Sequence, residues 1–240
     1  MFDVIKGKQE KKVKVLVYGV PKIGKTELCS KISGCIIADC EDGSFHVDAH
    51  KVRIGDYSQL REFFKWIVTK PEYPTVIIDS ITAVEKFLAD EICKEHGWDN
   101  LEAPGYGKGY QILKKGWQKL VAGLDFLNNS GKHVVLTGHA KSRTFADPII
   151  DSYDRWEVDL HKDSLAYLNS KMDAILFYKW KTVAKSRKKD DNAQIAQSNG
   201  DREMYTQERP AFLAGNRFNL PFQLMNPTES LWKDIIKTGE

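Results

Sequence analysis

The sequence predicts an α/β fold with a mostly parallel central sheet flanked by helices. Three observations lead there. Apolar, β-branched runs at residues 13–18, 75–78 and 133–137 read as strands, and the uninterrupted ones as strands buried on both faces. Patterns of helical period separate them. The first run leads directly into Gly19-Val20-Pro21-Lys22-Ile23-Gly24-Lys25-Thr26. Those residues fit G-x-x-x-x-G-K-[ST], a phosphate-cradling loop set between a strand and a helix.

The chemistry of that loop follows from its residues. Glycine lets the backbone turn tightly enough for its N–H groups to point inward at a phosphate. Lys25 is placed to reach the outer phosphates, and the Thr26 hydroxyl to ligate Mg²⁺. Residues 26–32, beginning Thr26-Glu27, read as a helix stopped near Gly34, and the start of that helix adds to the anion site. The nucleotide-binding set is therefore Gly19, Val20, Pro21, Lys22, Ile23, Gly24, Lys25, Thr26 and Glu27.

Size and composition agree with one domain. The chain has 240 residues, 42% hydrophobic and 29% charged, enough for a single large α/β core. A formal net charge of +3 is too small to imply a nucleic-acid partner, so such a reading must rest on local patches. The four cysteines show no metal-ligand spacing and read as reduced, mostly buried thiols of a cytoplasmic protein. No apolar run approaches the roughly 18 residues of a membrane span, and the N-terminus has no signal-peptide core.

In chain order, residues 1–12 read as a polar N-terminal arm and 13–240 as one domain. Residues 35–38 form a second strand that runs into Asp39-Cys40-Glu41-Asp42-Gly43. Acids at such a strand end sit where ligands bind in open α/β sheets, and one of them can polarise a water; a solvated polar turn is the alternative. Residues 58–68 carry a broad apolar stripe, with Asp56 as cap and Gln59 three residues on. The strand at 75–80 ends in Asp79, placed to hold the Mg²⁺ shell that Thr26 also serves. Asp79 could also cap the helix expected at 82–94.

Residues 96–110 hold four glycines and a proline and predict an irregular loop. Its Trp98, Tyr106 and Tyr110 with Lys108 are the pairing that stacks bases and holds phosphates of a single strand, unless the rings pack back on the body. A helix at 110–128 and a strand at 133–137 follow, closed by His139. Residues 140–163 form a basic segment with Lys141, Arg143 and Arg155, and an edge strand from Tyr153. A short helix at 164–172 and a strand at 174–180 come next. Residues 182–210 predict a flexible hairpin or loop, a C-terminal β-hairpin excursion. Asn226-Pro227-Thr228-Glu229 reads as the start of a terminal helix.

This order of elements resembles the RecA-like P-loop NTPase core. More closely, it is similar to small phage-encoded RecA-like ATPases, an AAA/RecA-like group linked to single-strand annealing recombination. The motifs that carry the likeness are G-V-P-K-I-G-K-T, I-I-D-S, Y-G-K-G-Y, L-T-G-H-A-K and G-N-R-F-N-L-P, spread over residues 12–222. The resemblance implies roles. Glu41 corresponds to the glutamate that activates the attacking water, and Asp79 to the acid that holds Mg²⁺. His139 corresponds to the residue that couples the γ-phosphate to DNA-binding loops, here 98–110 and 140–163. Gly215-Asn216-Arg217-Phe218-Asn219 resembles the K-N-R-F-G motif of a related recombination ATPase, whose basic residues reach a neighbour's nucleotide. Here Gly215 stands for the lysine and Asn219 for the glycine, which leaves Arg217 as the trans-acting finger.

The expectation is a Mg²⁺-dependent ATPase that binds single-stranded DNA and supports phage recombination, with ATP at the interfaces of a homo-oligomeric ring or filament. A single-strand-binding protein is an implied partner. The rivals are a helicase or translocase motor, and a nucleotide-gated assembly or loader module without direct DNA contact.

Overall fold

In a computed structural model, residues 4, 6–7, 11–186 and 194–236 are described. The elements run β1 (Lys14–Gly19), α1 (Lys25–Ser30), β2 (Cys35–Asp39), β3 (His50–Arg53), α2 (Tyr57–Ile67), β4 (Thr75–Asp79), α3 (Ile81–His96), α4 (Lys108–Asn129), β5 (His133–Phe145) and β6 (Tyr153–Val158). They continue α5 (Lys162–Asn169), β7 (Ala174–Trp180), β8 (Val183–Ser186), β9 (Gln194–Gln197), β10 (Arg202–Tyr205), β11 (Gly215–Asn216), β12 (Gln223–Met225) and α6 (Ser230–Ile235).

A ten-stranded sheet has the order β12-β10-β7-β1-β5-β4-β2-β3, with β6 on β5 and β11 on β7. The strands β7, β1, β5, β4, β2 and the edge strand β3 are all parallel. Their C-terminal ends therefore share one edge, the edge at which open α/β sheets bind ligands. Every residue of β1, β2 and β4 is buried, because helices cover both faces. Leu16, Val76, Ile78 and Leu136 pack on one face with Leu60, Phe64, Leu88, Leu113 and Trp117 from α2, α3 and α4. Val15, Val17, Ile37, Ile77 and Val135 pack on the other with Leu28 of α1 and Trp232 of α6. Removing that apolar surface from water is the main force holding the layers together.

The α2 cap is as expected: Asp56 accepts a 2.8 Å hydrogen bond from Gln59 N. At α3 the cap is Ser80, which accepts from Ala83 N at 3.3 Å, and Asp79 stays free for the site. Other expectations are corrected. The irregular loop ends early, because α4 already begins at Lys108 and carries both Lys108 and Tyr110. Strand β5 does not stop at residue 137 but continues to Phe145, where it pairs with β6. Residues 140–163 thus form largely a β-hairpin. Strand β10, inside the segment expected to be flexible, belongs to the main sheet, while β8 and β9 form a separate two-stranded hairpin. Residues 187–193 between them, and most of the expected arm at 1–12, lie outside the described residues.

The terminal helix starts at Ser230 with Glu229 as its cap residue, not at Asn226. Asn226 instead takes a left-handed φ of 44° and clasps the edge strand. Its N–H donates to Arg202 O at 2.7 Å, and its Oδ1 accepts from Arg202 N at 2.8 Å. Strand β3 was not foreseen. His-Lys-Val-Arg has no apolar alternation, and the strand is an exposed edge fixed by its backbone pairing to β2.

Candidate nucleotide-binding site

The loop between β1 and α1 needs glycine at two places for steric reasons. A Cβ on Gly19 would lie 1.9 Å from the Tyr178 carbonyl oxygen, so β7 could not approach. Gly24 holds φ at 97°, a conformation L side chains rarely adopt. Lys25 is buried and folds back over the loop. Its Nζ donates to the Gly19 and Val20 carbonyls, each at 3.1 Å. Burial pulls its pKa down, and the carboxylates of Asp79 and Glu41 oppose that.

Residues on or just beyond three strands, β2, β4 and β5, converge beside it. Thr26 Oγ1 donates to Asp79 Oδ2 at 2.6 Å, and Thr137 Oγ1, from β5, donates to Asp79 Oδ1. Glu41, just beyond β2, accepts from Ser80 Oγ. Both its oxygens contact His139 Nε2, at 2.9 and 3.1 Å. The hydrogen bond from His139 is the largest influence on Glu41 and holds its carboxyl below the ordinary range, against the effect of burial. Asp39 is spent on structure. Burial pushes its carboxyl up, but hydrogen bonds from Ser44, Glu41 and Gly43 more than reverse this and shape the turn that presents Glu41.

The donor set fits Mg²⁺. A hydroxyl and a carboxylate oxygen 2.6 Å apart are hard ligands, and Mg²⁺ characteristically takes one or two such groups with phosphates and waters completing its octahedron. Among the described residues no group of three or more His, Cys, Asp or Glu is placed to hold a metal ion by itself.

The structure brings Lys25, Thr26, Glu41, Asp79 and His139 together, and it separates Arg217. That residue lies beyond β11, which pairs with the start of β7, so it is at the opposite edge of the sheet. Its Nη1 is 2.9 Å from Asp173 Oδ1.

The two segments expected to meet DNA converge on one cleft of about 360 Å³, lined by Thr82, Leu101, Tyr110, Lys141, Arg143 and His161 among others. Their side chains are engaged to different degrees. Tyr106 is 98% exposed. Trp98 packs on His96 (ring centroids 4.5 Å) and Tyr110 on His161 (4.6 Å), so both rings lie back on the body. Lys108 is exposed in the first turn of α4. Lys141 Nζ is 3.3 Å from Asp159, and Arg143 donates to the Leu160 carbonyl. Arg155 is the clear departure. It is 7% exposed, ion-paired to Glu157 and Glu208 and stacked over Phe145, which leaves it inside the hairpin and away from any passing strand.

His139 links site and cleft. Its ring meets Glu41, while its backbone N–H donates to Thr82 Oγ1 at 3.1 Å and its carbonyl accepts from Asp159 N at 2.8 Å. Sequence reasoning missed Thr137, Ser80 and Thr82. A hydroxyl at a strand end was the available signal, but hydroxyls are common there. It also missed Arg202, whose guanidinium nitrogen would lie 2.7 Å from a Cβ on Gly24.

A strand, a glycine-bearing loop that cradles phosphate, a helix, and an acid on a neighbouring strand end define a P-loop nucleotide-binding protein of the ATPase class. A family model described as AAA domain matches residues 11–218, and the chain belongs to that family. No curated protein matches the sequence. Among the described residues no helix is long and apolar enough to cross a membrane.

Proposed function

We propose that this chain is a Mg²⁺-dependent ATP hydrolase that binds single-stranded DNA and serves phage recombination of the single-strand annealing type, with ATP held between subunits. Within one subunit, Lys25 would neutralise the outer phosphates. Thr26 and Asp79 would hold Mg²⁺, which when bound screens phosphate charge. Glu41, kept anionic by His139 and Ser80, would orient the attacking water and accept its proton. Arg217, at the far edge, would serve the nucleotide of a neighbouring copy.

The observation that carries the reading is the His139 bridge. One residue touches the water-activating carboxylate through its ring and two cleft-lining residues, Thr82 and Asp159, through its backbone. A change at the γ-phosphate would thereby reach the cleft. The test is ATP hydrolysis at fixed low salt with no DNA, single-stranded DNA or double-stranded DNA. Stimulation confined to single strands is expected. Equal rates in all three would remove DNA gating while leaving the ATPase.

The engagement of Lys141 and Arg143 with Asp159 and Leu160, and the burial of Arg155, favour a second reading, a nucleotide-gated loader without direct DNA contact. In that case Lys141→Ala with Tyr106→Ala leaves DNA affinity and its salt dependence unchanged. Under the first reading affinity falls, and the salt slope drops by about one for each phosphate that the protein no longer neutralises.

A further inference from the structure

Asp79, Glu41 and His139 approach the phosphate loop from the β5-β4-β2 side of β1. On the other side stand β7 and β10, where Arg202 pairs with Trp180 in the antiparallel register. The Arg202 guanidinium lies over the Trp180 ring, 5.1 Å from its centroid. It also lies beside the Tyr178 phenol, whose pKa burial raises and Arg202 opposes. The same guanidinium lies against Gly24, with Nη1 2.7 Å from where a Cβ would sit and Glu27 Oε2 3.7 Å from that position, so a side chain there would have to displace the arginine tip. The arginine tip thus occupies the space that a side chain at Gly24 would take.

Arg202 is half-buried, and among the described residues no carboxylate lies within ion-pair distance of it. Its backbone is fixed in both directions by Asn226, through Arg202 N to Asn226 Oδ1 at 2.8 Å and Asn226 N to Arg202 O at 2.7 Å. A partly desolvated guanidinium pinned against a second cation-bearing loop, with Lys25 in the same turn, is electrostatically incomplete. An anion shared by the two completes it, and a planar fork of N–H donors is matched to phosphate oxygens.

We propose that Arg202 is a phosphate-contacting residue of this chain's own nucleotide site. Trp180 serves as its platform, the space at Gly24 as its seat and Asn226 as its clasp. The phosphate chain is then held from both sides of β1, by Lys25 with the metal-binding pair on one side and by Arg202 on the other. This rests on the reading of residues 19–26 as a nucleotide loop.

The test is titration calorimetry of the full chain with Mg·ADP, with inorganic tripolyphosphate and with adenosine, on wild type, Arg202→Ala, Arg202→Gln and Lys25→Ala. Arg202→Gln keeps a planar amide donor on a shorter side chain and removes the charge with the guanidinium fork, so it carries the test if Arg202→Ala does not fold. Removing one charge-assisted hydrogen bond predicts binding weaker by about tenfold to a hundredfold for Mg·ADP and for tripolyphosphate alike, with any adenosine binding unchanged. Thermal unfolding without ligand should match wild type for Arg202→Gln. Mg·ADP and tripolyphosphate affinities within twofold of wild type in the Arg202 variants would overturn the proposal. So would weakened Mg·ADP with tripolyphosphate unaffected, since the arginine would then touch base or ribose. Failure of the nucleotide reading itself is a separate result: wild type and Lys25→Ala would bind Mg·ADP equally poorly.

Discussion

The two edges of the central sheet both bury charge, and they handle it differently. At the N-terminal edge most charges are closed on a fixed partner. Lys14 Nζ meets Asp125. Asp173 accepts from Lys14 N at 2.9 Å and from Arg217 at 2.9 Å. Lys132 is the exception at that edge: like Lys25, its Nζ meets only carbonyls, those of Lys70 and Tyr73. At the C-terminal edge opposite charges stand near one another without pairing. Lys25 holds only carbonyls, Asp79 only hydroxyls, and Glu41 a hydroxyl and an imidazole. Closed pairs stabilise their own geometry and have little to offer a ligand. Open ones can exchange a weak neutral partner for phosphate or metal at small cost, which is what a binding edge requires.

The largest effect should come from the open edge. Lys25→Ala is expected to reduce ATP hydrolysis by about 10³-fold or more, because the phosphate charge loses its buried counterion. Phosphate release at saturating Mg·ATP checks it, and turnover near wild type would break the distinction at its centre.

Arg217→Ala tests whether the closed edge is inert. Its side chain is 65% exposed while that of Asp173 is 10% exposed, so losing the pair should cost about 1 kcal/mol of stability, with Asp173 still held by Lys14 N. If it reaches a neighbour's nucleotide, turnover falls by about 10³-fold while thermal stability and Mg·ADP affinity hardly change. Mixing Arg217→Ala with Lys25→Ala subunits should then restore part of the activity, since each supplies what the other lacks. Unchanged turnover would leave Arg217 as a surface ion pair.

His139→Asn is expected to act less on basal hydrolysis than on its coupling. DNA stimulation should be lost while DNA-free turnover falls only severalfold. The sign of the pH effect follows from Glu41. Its carboxyl is held below the ordinary value mainly by the His139 hydrogen bond. Activity needing the ionised form persists to lower pH in wild type, and the acidic limb of the pH–rate profile should move up toward the ordinary carboxylate range in the variant. A limb that does not move would mean that Glu41 is not the group titrating.

How much of this was legible follows the same division. The parallel strands, the phosphate loop, Asp79 and the pattern of buried helices were readable, because backbone chemistry and hydrophobic period write themselves locally. Glu41 and His139 were readable only as strand-end residues given roles by resemblance; their contact joins residues 98 apart in sequence. Arg202 was hidden because it lies in a polar stretch that looked structureless, and its place depends on antiparallel pairing with β7. Asn226 shows the same limit. Its local context suits a helix start, yet tertiary pairing with β10 uses its amide elsewhere. Arg155 read as a free cation because sequence does not show that Glu157 and Glu208 surround it.

The smallest effect belongs to the closed edge and is one of pH. His133 is buried, and its Nδ1 accepts from Val13 N at 3.3 Å, tying β5 to the residue before β1. Burial first, and the nearby Lys12 charge second, push its pKa down to about 4. In the unfolded chain it should titrate near its ordinary value of about 6.5. Between those values the unfolded state holds a proton that the folded state does not, so stability falls as pH drops from about 6.5 toward 4 and is fully present above that window. His133→Gln cannot take up that proton. It should be somewhat less stable at pH 7 but lose less than wild type between pH 7 and pH 5, measured as the shift in thermal midpoint. Parallel losses in the two proteins would place the acid sensitivity elsewhere. Because His133 and Glu41 sit at opposite ends of the sheet, a stability change that follows His133 and a rate change that follows Glu41 should separate cleanly. If one substitution moved both, the two edges would be coupled, and the closed pairs at the N-terminal edge would belong to the working parts of the site.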